Sequence, residues 1–159
     1  MNRSPTALAA DARAAVSHTL QDRLIDAIDL HSQVRVAHWN VKGAHFPSYH
    51  PLFDTFVGEL SEQIDGIAER AVTLGAHVHA TVRHVAAHSR LPEYGIDTRR
   101  DLDHVRLLAD RFELFLVECR TSRDLCEHYG DTDSADLFTN LVRTFERHAW
   151  FLRATLETA

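Results

Sequence analysis

Residues 50–70 read HPLFDTFVGELSEQIDGIAER. The spacing of apolar residues makes this one amphipathic helix. His50 and Asp54 sit near its start, and Asp65 and Glu69 near its end. At about 100° per residue, Asp54, Asp65 and Glu69 lie about 40°, 60° and 100° round the axis from His50, so all four share one stripe. At about 1.5 Å per residue, His50 and Asp65 are about 22 Å apart along the axis. Metal ions take ligands at about 2–2.6 Å, so the two pairs cannot meet on one ion within a chain.

They can meet across a two-fold axis. If two copies of the helix cross antiparallel near residues 58–61, His50 and Asp54 of one copy lie beside Asp65 and Glu69 of the other, and the pairing occurs twice. The stripe residues at that crossing are Gly58 and Ser61, both small enough for close backbone approach. The competing account is a solvated helix face with scattered acids. His38, beside Trp39 upstream, is a further candidate ligand, or else a satisfied buried histidine. A nitrogen and oxygen ligand set without thiolate suits Fe, Mn or Zn, and the carboxylates favour the harder ions. The sequence holds no Glu-x-x-His, the motif that places di-iron sites inside a bundle. A site between chains is therefore expected over one within a chain.

The rest of the sequence frames this helix. A chain of 159 residues suits one domain, taken here as 1–159 with residues 1–6 as a flexible tail. Its 45% hydrophobic and 25% charged residues exclude a disordered composition. No apolar run reaches the roughly 18 residues of a membrane span, and the N-terminus lacks a signal-peptide core. Cys119 and Cys126 are about 10 Å apart along a helix, too far for a disulfide. Reduced thiols fit a cytoplasmic protein, and neither cysteine belongs to a CxxC pair. The net charge is −6, and Lys42 is the only lysine. An acidic chain is a poor match for nucleic-acid phosphates.

Four long helical patterns run along the chain, with almost no strand signal. They span about Thr6 to Val41, Ser48 to Leu74 with Pro51 in the first turn, Asp97 or Thr98 to Gly130, and Asp133 or Ser134 to the C-terminus. A short helix is expected near Ala80 to Ser89, inside a long connection from Gly75 to Asp97. The fold class is all-α: a four-helix bundle whose second and third helices are joined by a crossover along the bundle's length.

AHWNVKGAHF (37–46), YHPLFD (49–54) and IDGIAERAVTLG (64–75) strongly resemble the Dps family, mini-ferritins that protect DNA during starvation. The resemblance implies a ferritin-like bundle assembled as a hollow homo-dodecamer. It implies ferroxidase centres at the two-fold interfaces, where Fe(II) is oxidised, preferentially by hydrogen peroxide, and ferric mineral stored in the shell. On this sequence, Asp65 and Glu69 of one subunit would bind iron with His38 of its neighbour. His50 and Asp54 of that neighbour would hold or approach a second, weaker iron. Trp39 resembles the family's tryptophan that takes up stray oxidising equivalents. Asp131, Asp133 and Asp136 match acids that line iron-entry pores, although helix capping explains them equally well.

Two features depart from that pattern. DNA binding in many members uses a lysine-rich tail, whereas this chain offers Arg3 there. Twelve copies would carry about −72, so weak or absent DNA binding is expected. The stretch AHVHATVRHVAAH (76–88), if helical, places His77, His84 and His88 on one face, with His79 unassigned. Surface or interface histidines are the expected role, with an auxiliary metal site as the alternative. Competing functions are a nucleoid-associated DNA-compacting protein and a shell that binds Zn or Mn instead of iron.

Overall fold

The computed structural model describes residues 1–157. Five helices follow in order: α1 (Ala10–Asn40), α2 (Phe46–Thr73), α3 (Val82–His88), α4 (Asp101–His128) and α5 (Thr132–Leu156), with no strand among the described residues. α1 pairs with α2 and α4 with α5; the two hairpins join mainly through α1 on α4, with α2 also meeting α5. Leu20, Leu24 and Leu30 of α1, Phe53 and Phe56 of α2, Phe112 and Phe115 of α4, and Phe138 and Phe145 of α5 form the common core. Each is essentially inaccessible to water, and burial on this scale is the main force holding the bundle. α3 rides on α1 within the long connection.

The helix ends differ from the expected ones for local reasons. α1 begins at Ala10 rather than Thr6. Residues before it are tied down: Asn2 N donates to Gly75 O at 2.7 Å and Ser4 Oγ to Thr73 O at 2.7 Å. Gly75, at φ +90°, makes that approach, because a Cβ there would collide with the Asn2 carbonyl. α2 opens at Phe46, with Pro47 early in its first turn and Pro51 inside the helix. Tyr49, Phe53 and Phe56 are buried, and that packing carries the helix through Pro51.

α4 starts at Asp101, not after Asp97 or Thr98. Thr98 is spent on a turn, donating through both N and Oγ1 to Gly95 O, and Asp97 pairs with Arg99. α5 is capped by Asp131, rather than Asp133 or Ser134, through Ser134 N at 3.2 Å. Both cysteines are buried and free, and burial pushes the Cys126 thiol up to about 12.

Candidate metal centre

Five residues separate the last turn of α1 from the first of α2. Gly43, at φ +129°, makes the tight return, and a Cβ there would lie 2.8 Å from Asp101 Oδ2. Asp101 in turn accepts from His45 N and Nδ1, at 3.2 and 2.9 Å, and so fixes the loop to α4. This closure brings His38 and His50 face to face, with ring centroids 3.8 Å apart and planes at 24°.

The two rings clasp each other's backbone. His38 Nδ1 donates to His50 O at 2.8 Å, and His50 Nδ1 donates to His38 O at 2.9 Å. A carbonyl only accepts, so each Nδ1 carries a hydrogen, and Nε2 is the nitrogen whose lone pair the neutral ring offers to a metal. A carbonyl behind one ring nitrogen, fixing the tautomer and orientation of the other, is the support that metal-binding histidines use. Phe46 packs on the His50 ring with centroids 4.8 Å apart, and Trp39 is 67% exposed beside the pair.

Asp54, one turn beyond His50, is exposed and paired with Arg35 of α1 at 2.9 Å. Arg35 lies one turn before His38, so the α1–α2 end gathers two imidazoles, a carboxylate and a guanidinium. Asp65 and Glu69 lie further along the same helix, both exposed. Between the two groups, Gly58 and Ser61 are exposed, and a Cβ on Gly58 would meet no heavy atom within 4 Å. The opposite side of α2 is buried through Phe53, Phe56, Val57, Leu60 and Ile67. Among the described residues, no three His, Cys, Asp or Glu side chains already converge as a metal site.

The three acids near the start of α5 differ in their surroundings. Asp131 is buried; it accepts from Ser134 N and Oγ and from Arg70 Nη2 at 2.6 Å. It therefore has the capping role. Asp133 and Asp136 are exposed. In the crossover, residues 76–81 are not helical, and His79 rather than His77 joins His84 and His88.

The sequence did not reveal two buried histidines. His148 Nε2 meets Glu59 Oε2 at 2.6 Å among Phe56, Phe112 and Phe145, and its Nδ1 is buried without a partner. His104 bonds to the Tyr94 hydroxyl, and its Nε2 is likewise buried without a partner. Both lie on buried helical faces, where periodicity flags a core position and says nothing of a partner.

Residues 18–159 match the ferritin family, described as a ferritin-like domain. The DNA protection during starvation protein of Agrobacterium fabrum (strain C58 / ATCC 33970) is 33% identical over 150 residues, covering 94% of this chain and 93% of its own. The chain belongs to the Dps family. DpsC from Streptomyces coelicolor, a solved Dps structure, superposes with a TM-score of 0.93 at 33% identity, over 98% of this chain and 91% of its own. The Dps protein from Vibrio cholerae O1, described as a member of a broad superfamily of ferritin-like diiron-carboxylate proteins, shares the fold: TM-score 0.91, 24% identity, 98% of each chain. No helix among the described residues of this Dps protein is long and apolar enough to cross a membrane.

Proposed function

We propose that this Dps chain is an iron-storing, iron-detoxifying subunit that assembles as a dodecamer and oxidises Fe(II) where two α2 helices meet. The observation that carries this reading is the His38–His50 clasp, which leaves two Nε2 lone pairs free at one end of a stripe whose other end exposes Asp65 and Glu69. Antiparallel crossing at Gly58 and Ser61 would bring the imidazoles of one chain to the carboxylates of the other, at two symmetric places.

Asp65 and Glu69 would hold the substrate iron together with His38 of the neighbouring subunit. His50 and Asp54 would approach a second, weaker ion; Asp54 must first leave Arg35, which makes that position the weaker one. Carboxylate oxygens favour Fe(III) over Fe(II), so the site draws the reaction towards oxidised product. Two Fe(II) ions each give one electron to one hydrogen peroxide. Its O–O bond breaks, and the two oxygens leave as water after taking up two protons. Consuming both reagents together removes the source of hydroxyl radical and would protect DNA without contacting it. Asp133 and Asp136 are the candidates for guiding iron inwards. A cytoplasmic location is consistent with the buried free thiols.

The test is stopped-flow absorbance after anaerobic Fe(II) loading, then peroxide or oxygen, with particle mass from light scattering. Peroxide-driven oxidation should be faster than oxygen-driven oxidation, and Asp65→Ala with Glu69→Ala should abolish the fast phase while the particle stays assembled. Equal rates in the two proteins would overturn the site.

A further inference from the structure

The crossover carries a second cluster of metal-type ligands. The His79 and His84 rings stack with centroids 4.1 Å apart, and His84 stacks on His88 at 4.1 Å. His84 and His88 are four residues apart on α3, the spacing at which two helical imidazoles hold one ion. His88 Nδ1 donates to the His84 carbonyl at 2.9 Å, so Nε2 is the nitrogen that its neutral ring offers to a metal.

The backbone under the cluster is pinned on both sides. Gln21 exchanges two hydrogen bonds with the main chain of His79, at 2.7 and 2.9 Å. Beyond His88, Ser89 Oγ bonds to Asp29, and Arg90 N donates to Asp26 Oδ1 at 3.1 Å. Val85 anchors α3 in the core. Gln21 lies 17 residues before His38 on α1, about 26 Å along the helix, so this is not the His38–His50 site.

We propose that His79, His84 and His88 form an auxiliary site for an imidazole-preferring divalent ion of the Cu(II) or Zn(II) class. The rings now lie face to face instead of aiming at one point. Rotation about the side-chain bonds of His84 and His88 forms the chelate, and His79 supplies a third nitrogen from its fixed backbone. Imidazole sites bind Cu(II) ahead of other first-row divalent ions, which makes it the most sensitive probe.

The experiment is a Cu(II) titration of the assembled, tag-free protein by calorimetry and electron paramagnetic resonance. Four proteins are compared: wild type, His84→Ala with His88→Ala, His77→Ala, and Asp65→Ala with Glu69→Ala. The expected result is one tight ion per chain with nitrogen couplings. It should be lost or weakened at least tenfold in the His84/His88 variant, and kept in the other two. Circular dichroism and light scattering confirm that each variant is folded and assembled. Unchanged binding in the His84/His88 variant would overturn the site, as would an equal loss in His77→Ala. Loss confined to the Asp65/Glu69 variant would overturn it too, while leaving the ferroxidase reading intact.

Discussion

Gly58 gives opposite answers for a lone chain and for a crossing pair. Within the chain a Cβ at Gly58 has no neighbour within 4 Å, and the position is exposed on α2. There, Gly58→Leu replaces a poor helix former with a good one and should stabilise the fold by about 0.5–1 kcal/mol. If two α2 helices cross at Gly58 and Ser61, the sign reverses. Packed helix axes lie about 8–10 Å apart, and only small residues at the contact allow the near end of that range. Symmetry places the new side chain in the contact twice. Overpacking costs about 1–3 kcal/mol per insertion, so each two-fold contact loses about 2–6 kcal/mol. That weakens pairing roughly 30-fold to 10⁴-fold, far more than the helix gain restores. Light scattering of Gly58→Leu should show loss of the wild-type particle, while circular dichroism shows helix content retained. A variant of wild-type mass that also melts higher would refute the crossing.

Other substitutions separate structural roles from chemical ones. His38→Asn keeps a donor where Nδ1 stands and removes Nε2. It should preserve stability within about 0.5 kcal/mol yet slow Fe(II) oxidation at least tenfold, read by stopped-flow; an equally fast reaction would remove His38 from the ligand set. Asp131→Ala removes the α5 cap and leaves the largely buried Arg70 guanidinium without its closest partner, so chemical denaturation should register a loss of about 3 kcal/mol or more. Burial lowers the pKa of His104, and that of His148 despite its Glu59 partner. The unfolded chain therefore takes up these protons first. Stability should fall as pH drops below about 6.5, by up to about 1.4 kcal/mol per pH unit for each proton, and His148→Gln should flatten the melting-temperature profile. Gel-shift assays at low micromolar protein and physiological salt should leave duplex DNA free, since each chain carries a net charge of −6 and a single lysine; retained DNA would contradict this.

The bundle was legible because its signals are periodic. Apolar spacing along α1, α2, α4 and α5 recurs over about seven to nine turns, long enough to survive irregular ends. The ends themselves were not. Thr98 and Asp131 are both good capping residues, yet Thr98 closes a turn with Gly95, whereas Asp131 caps α5 because Arg70 from α2 meets it there. That decision belongs to the tertiary fold. The stripe from His50 to Glu69 was readable from helical geometry alone. The reciprocal His38–His50 clasp was not, because it depends on how Gly43 folds α1 back onto α2. His79 displaced His77 for a related reason: residue 79 lies outside any helix, bonded to Gln21, and helical phase does not apply to it.

Dividing the ligands between two chains changes what folding has to accomplish. Carboxylates gathered inside a bundle must be desolvated before any metal arrives, and unpaired buried charge is costly. Here Asp65 and Glu69 stay in water while the chain folds, and Asp54 is neutralised by Arg35. The bundle interior is then mainly phenylalanine and leucine, and the carboxylate of Asp26 that it does bury is paired with Arg23. Under the two-fold reading, the costly convergence is deferred to assembly, where iron can offset it. Reactivity then belongs to the assembled particle, which is also the vessel for the oxidised product. An unassembled chain with full ferroxidase activity would break that argument, and a dilution series followed by light scattering and stopped-flow on the same samples would reveal it.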